Sequence, residues 1–174
     1  MQFQKRGFAR SAPALAFAAA VSVASLPAFA PIAAAADTGP FDGLGGVWTG
    51  GGTLSLGNGT KERLRCRVQY VVTNDGSNLQ QSLNCDSASY HFHVNAYVNY
   101  KGGSLSGNWT ETTRNASGSV SGKAGGGKIF VSVAAGNAFS AKMTMITTGS
   151  TQSVNIKPKG TDVTDVSVSV SKAH

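Results

Sequence analysis

From residue 46 onward, apolar and polar positions alternate with period two almost everywhere, and no stretch sustains the i, i+3, i+4, i+7 spacing of an amphipathic helix. Gly, Asn, Asp and Ser interrupt the alternation at short intervals, the signature of a sandwich or barrel of short strands. The sharpest turn signal is Asp75-Gly76, because both central residues of a type I′ hairpin turn need positive φ. Residues equidistant from that turn should pair: Val72 with Leu79, Tyr70 with Gln81, Val68 with Leu83 and Cys66 with Cys85. These define a buried face, while Arg65, Arg67, Gln69, Gln80, Ser82 and Asn84 define a solvent face. In this register the cysteine pair falls on a hydrogen-bonded site, so a bulge or local strain is expected beside it.

Further turns keep the same face inward. Trp48, Gly50, Gly52, Leu54 and Leu56 share one face of a first strand. A three-residue loop Asn58-Gly59-Thr60 would set Leu54 opposite Leu64, Gly52 opposite Cys66 and Trp48 opposite Tyr70. A turn near Ser87-Ala88 leads to Tyr90, Phe92, Val94, Ala96, Val98 and Tyr100. Gly102-Gly103 then returns the chain through Leu105, Gly107, Trp109, Glu111 and Thr113. Turns at Ala116-Ser117, Gly125-Gly126, Gly136-Asn137 and Gly149-Ser150 bring in Val120 and Gly122, then Ile129 to Val133, then Phe139 to Met145, then Val154 and Ile156. The segment from Pro158 to Asp162 leads to a last strand with Val166, Val168 and Val170 inward. The fold class is all-β, an antiparallel up-and-down meander of about ten strands with one disulfide-stapled hairpin. Closure into a barrel removes two long, flat edges; a two-sheet sandwich is the alternative.

Residues 1–36 read as a signal peptide. Lys5, Arg6 and Arg10 precede an Ala-rich apolar stretch, and Ala34-Ala35-Ala36 forms a small-x-small cleavage site before Asp37. Residues 37–174 are then a single β-barrel domain, periplasmic or secreted, and the even cysteine count in an exported chain favours a disulfide over a metal site or a catalytic thiol. Without Lys5, Arg6 and Arg10, the net charge of +7 becomes +4. No basic run supports a nucleic-acid partner, and no second apolar run supplies a membrane span in the mature chain.

An exported meander opening on Gly46-Val47-Trp48 resembles the calycin barrels: lipocalins, avidins and intracellular lipid-binding proteins. The resemblance implies that Trp48 plugs one end and that the other end admits a small, often apolar ligand. The Thr-Asp-Tyr motif of lipocalins and the biotin-binding set of avidins are not recognisable, so the resemblance supplies topology and no particular ligand. The chain also looks like small exported proteins of alphaproteobacteria.

Several residues carry candidate chemistry. Trp48, Tyr70, Phe92, Trp109 and Met143 are inward residues that would seal or line a ligand cavity, and the inward glycines leave volume for one. Glu111 shares their face, and a buried carboxylate there would orient a ligand; the alternative is a strand-end residue at the barrel mouth that reaches water or a cation such as Arg114 or Lys123. On that reading Glu111→Gln keeps the shape, removes a buried charge and preserves or raises stability. His91 and His93 are two apart on one strand, a spacing that suits zinc or copper only if neighbouring strands add ligands. Their parity puts them outside, and no metal is assigned. There is no Gly-x-Ser-x-Gly elbow, the glycines at 125–127 lack the strand–loop–helix setting of a phosphate loop, and only one carboxylate faces inward. The chain is therefore expected to be non-enzymatic and to need no cofactor. Its expected role is binding a small, largely apolar ligand. The alternative is an envelope inhibitor or protein-interaction module acting through loops and the Arg63-Arg65-Arg67 face.

The secreted protein, denatured without reductant, should show no titratable thiol, and reducing Cys66–Cys85 should lower stability by about 3 kcal/mol, the loop-closure contribution of a bridge of this span. Two reactive thiols would refute the pairing.

Overall fold

The computed structural model describes residues 38–173, so the signal peptide expected over residues 1–36 lies outside the described residues. Ten strands follow a lead-in: β1 (Gly46–Leu56), β2 (Lys61–Thr73), β3 (Asn78–Asp86), β4 (His91–Lys101), β5 (Ser104–Glu111), β6 (Ala116–Gly125), β7 (Lys128–Ala135), β8 (Phe139–Thr148), β9 (Thr151–Lys159) and β10 (Val163–Lys172). Each pairs antiparallel with its sequence neighbours, and β10 returns to β1, closing the barrel. Alternation determines which side chains face in. Along β2, Leu64, Cys66, Val68 and Tyr70 are buried while Arg63, Arg65, Arg67 and Gln69 are exposed.

The β2–β3 register is the one the Asp75-Gly76 turn dictates, with positive φ at both residues and Cys66 opposite Cys85. The two cysteines are bonded, with their Cα atoms 4.1 Å apart. The ladder runs through this pair without a shift, so the bulge expected there is absent; the strands approach closely enough for the bridge without an inserted residue. The registers around Gly102-Gly103 and Gly149-Ser150 also follow the turn chemistry, with Val94 opposite Glu111 and Met145 opposite Val154. Gly149 has a φ of 57°.

Other turns differ from the sequence reading. The β1–β2 loop is Gly57-Asn58-Gly59, closed by a hydrogen bond of 2.9 Å from the Leu56 amide to the Thr60 carbonyl. A three-residue hairpin loop ends in a left-handed residue, and Gly59 (φ 87°) takes that position where β-branched Thr60 would resist it. The register consequently moves by two residues. Trp48 faces Val68 rather than Tyr70, Cys66 faces Gly50 rather than Gly52, and Leu54 faces Glu62 rather than Leu64. The β5–β6 turn spans residues 112–115 rather than Ala116-Ser117, with Asn115 at a φ of 51° and Glu111 opposite Ala116. Thr113 thus belongs to the turn and not to the inner wall. The β6–β7 loop is Gly126-Gly127, one residue later than expected, both with positive φ. Pro158 lies within β9 opposite Ala141, where the ladder to β10 has already ended at Ile156–Val166, so its missing N–H breaks no pair on that side.

The inward glycines do something other than leave room for a ligand. A Cβ on Gly52 would lie 1.8 Å from the Ser167 carbonyl oxygen, on Gly50 2.1 Å from that of Ser169, on Gly107 1.9 Å from that of Tyr97, and on Gly118 1.8 Å from that of Ala134. At these points the strand coils so tightly that a side chain would strike the neighbouring strand, so glycine sets the curvature of the wall.

Gly107→Ala should therefore lower stability by about 2 kcal/mol or more, the range of an overpacked interior. Gly125→Ala, where nothing lies within 4 Å, should be near neutral. Thermal unfolding of the pair measures the difference; equal melting temperatures would contradict the close-approach account.

Candidate functional site

The interior has a floor, a wall and a mouth. The floor lies where β1 begins. Residues 38–45 fold back under the barrel, with Gly39 and Phe41 donating to the carbonyls of Asp75 and Gly76 at 2.6 and 3.1 Å. Phe41 and Leu44 are buried against Trp48, which is 0% exposed. The Trp48 indole N–H donates to the Leu44 carbonyl at 2.7 Å. Lys172 lies 5.9 Å above the Trp48 ring and donates to the Gly43 carbonyl at 2.9 Å. Tyr70 meets Trp48 edge to face, its hydroxyl donates to Gln152 Oε1 at 2.8 Å, and Gln152 Nε2 donates to Thr147 Oγ1 at 3.1 Å. Burial pushes the Tyr70 phenol far above its ordinary value and outweighs the hydrogen bond to Gln152, so it remains a neutral donor. Trp48 seals this end, and the Tyr70 hydroxyl is fully engaged.

The wall above the floor is apolar and incompletely covered. Val131, Val133, Met143, Val154, Val166 and Val168 face inward yet remain half-buried. Trp109 faces inward from β5, 8% exposed, its ring packed edge to face on Phe139 with centroids 5.7 Å apart. Its indole nitrogen is buried with no hydrogen-bond partner. Gln81 also projects inward, half-buried, and its side chain makes no hydrogen bond among the described residues.

The mouth is crossed by side chains. Tyr90 and Phe92 stack with ring centroids 5.8 Å apart, and the Arg114 guanidinium covers both at 5.6 and 5.1 Å. Tyr90 reaches over β3, β2 and β1 to donate its hydroxyl to Asp162 in the β9–β10 turn. Glu62 accepts from the Ser87 hydroxyl at 2.7 Å and the Ser89 amide at 3.0 Å, which ties down the β3–β4 loop.

Glu111 is inward and 6% exposed, but its oxygens do not point freely into the lumen. Oε1 accepts from the amides of His93 and Thr113 at 3.2 and 3.0 Å and from the Thr113 hydroxyl at 2.5 Å. Oε2 accepts from the Arg114 amide at 2.8 Å. Burial acts to raise its pKa, but the bonds from Thr113, His93 and Arg114 together outweigh it and hold the carboxyl below its ordinary 4.5. The carboxylate pins the 112–115 turn. The expectation that Glu111→Gln preserves or raises stability is therefore reversed, since an amide would set a donor against this row of donors.

Of the residues expected around a ligand, the fold brings Trp109 and Met143 to the lumen, Phe92 and Glu111 to the mouth, and Trp48 and Tyr70 to the floor. His91 and His93 are exposed on the outer face, with His91 Nδ1 2.7 Å from Asp86 Oδ1. Among the described residues no three His, Cys, Asp or Glu side chains gather as a metal site. From sequence Gln81 was placed on the inner face without a role, Arg114 only as a cation for Glu111, and Gln152 not at all. Parity alone places both glutamines inward, and each breaks an otherwise apolar face; nothing local foretells the Arg114 stack. Two clefts of about 380 and 490 Å³ flank the lead-in at the floor end, both bordered by Asp42 and Gly43, and the first is lined also by Leu44 and the inward-facing Tyr100 and Ile129.

No protein-family model matches the chain, and no curated protein matches it in sequence. Solved structures resemble its fold. Rv2717c from M. tuberculosis superimposes with a TM-score of 0.56 at 12% identity, over 78% of this chain and 94% of that one. The S-type phycobiliprotein lyase CpeS from Guillardia theta gives 0.52 at 12% identity, over 75% and 88%. Both are ten-stranded antiparallel barrels, consistent with a calycin-like fold.

Glu111→Gln should destabilise the barrel by about 2 kcal/mol, because three amides and the Thr113 hydroxyl lose a charged, buried acceptor. The pH dependence follows from the lowered pKa: the carboxylate contributes stability above pH 4.5, and that contribution is lost as pH falls through the depressed value. Unfolding of wild type and variant should therefore converge under acid. An equal gap at neutral and acid pH would contradict the capping role.

Proposed function

We propose that this chain is a non-enzymatic, exported binding protein that holds a small, largely apolar ligand inside the barrel. The observation carrying this reading is the half-buried inner wall, where Val131, Val133, Met143, Val154, Val166 and Val168 are incompletely covered between the Trp48 floor and a side-chain-covered mouth. Apolar surface left wet in an interior is a standing driving force for an apolar guest. Likeness to other ten-stranded barrels is compatible with this use of the fold and identifies no ligand. The export expected from residues 1–36 fits a carrier or scavenger in the periplasm or outside the cell. A second reading, docking to an envelope protein, is favoured by Arg63, Arg65 and Arg67, which are exposed on β2 and form no ion pair among the described residues.

A neutral fluorescent probe such as phenylnaphthylamine should bind saturably, with about one site per chain. Val168→Phe, which fills the lumen with a larger apolar ring, should reduce uptake by about tenfold or more while the fold persists by circular dichroism. Absence of saturable uptake by wild-type protein would overturn the ligand reading and leave the arginine face as the surface to test against envelope extract.

A further inference from the structure

Resting on that reading, we propose that the barrel selects a neutral, oxygen-bearing apolar molecule, such as a long-chain ketone, ester or alcohol, by donating the indole N–H of Trp109 to its oxygen. Buried polar groups in native proteins almost always have partners, so a tryptophan nitrogen without one calls for an acceptor from elsewhere. Gly118 lies beside it: a Cβ there would lie 2.9 Å from the indole nitrogen and 1.8 Å from the Ala134 carbonyl oxygen, so no side chain stands on that side of the ring. Gln81 lies two strands away in the same cross-barrel row, separated from Trp109 only by Ala96, and adds a donor and an acceptor that the protein does not use. Two unengaged polar groups on an apolar wall suit a ligand with one small oxygen function on a hydrocarbon body.

The charges explain why the oxygen should be neutral. Above the Trp48–Tyr70–Gln152 floor, no Lys or Arg projects from the inner face of any strand. Lys172 is held below the floor by the Gly43 carbonyl and the Trp48 ring. At the mouth, the Arg114 guanidinium is occupied by the Tyr90 and Phe92 rings, the His91 carbonyl and Glu111. A carboxylate ligand would find no counter-ion inside.

Three probes of equal chain length separate the possibilities: methyl nonyl ketone, undecane and undecanoate, each displacing phenylnaphthylamine. The ketone should displace it roughly tenfold better than undecane, the scale of one satisfied buried hydrogen bond, and better than undecanoate. In Trp109→Phe the ketone's advantage over undecane should vanish while undecane binding is retained. The chain has two tryptophans, so two indole N–H signals report directly on wild-type protein even if the variant folds poorly. The ketone should move the Trp109 signal downfield and leave that of Trp48, already bonded to Leu44, in place. Equal binding of ketone and undecane, an unmoved Trp109 signal, or tightest binding of undecanoate would each overturn the inference while leaving the barrel a binding protein. Failure of the dye and all three probes to bind would remove both readings.

Discussion

The interior depends on how closely β10 can lie against β1. A meander of ten strands leaves two long edges unless its ends meet, and here they meet over a first strand with glycine at Gly50, Gly51 and Gly52. The Ser167 and Ser169 carbonyl oxygens occupy the space that side chains at Gly52 and Gly50 would fill. Gly107, Gly118 and Gly122 repeat the same close approach on the opposite side of the barrel. Curvature is thus concentrated at a few glycines, where β1 lies against β10, β5 against β4 and β6 against β7.

The two ends are held by different physics. At the floor, Phe41, Leu44, Trp48 and Tyr70 bury large apolar areas, and the polar atoms of Trp48, Tyr70 and Gln152 all have partners. Opening that end would expose aromatic surface and strand several buried donors together. The mouth is covered by the Tyr90–Asp162 contact, by Arg114 lying on two rings, and by loops tied down by Glu62 and Glu111. Tyr90 and Asp162 are near water, where a hydrogen bond exchanges with solvent at small net free-energy change. Passage into the lumen is therefore easier through the mouth than through the floor.

Much of this was written locally in the chain. Asp75-Gly76, Gly102-Gly103 and Gly149-Ser150 each fixed a register because positive φ is needed at defined positions, and parity then carried the inner face from strand to strand. The β1–β2 register was missed by two residues because Gly57 and Gly59 flank Asn58 and only the requirement for a left-handed last loop residue decides between frames. Parity also placed Glu111 inside, yet its role was misread. A carboxylate two residues from Trp109 looks like a ligand anchor until the β5–β6 turn is seen to start at Thr112, which aims the Thr113 and Arg114 amides at it. The Tyr90–Asp162 and Tyr70–Gln152 pairs join residues 72 and 82 positions apart, and no local pattern predicts such contacts.

The placement of satisfied and unsatisfied polar groups is itself ordered. At the two ends the Trp48 nitrogen, the Tyr70 hydroxyl, both polar atoms of Gln152, and the carboxylates of Glu62 and Glu111 have partners. Trp109 and Gln81, between floor and mouth, have none among the described residues. If these two served packing alone, phenylalanine and leucine would fill the same positions without leaving a buried donor unpaired. A barrel that pairs these groups at its ends and leaves Trp109 and Gln81 unpaired midway has free hydrogen-bonding capacity where a guest would lie. Both groups can be met by a single uncharged oxygen function, which links the apolar wall to the chemistry of what it holds.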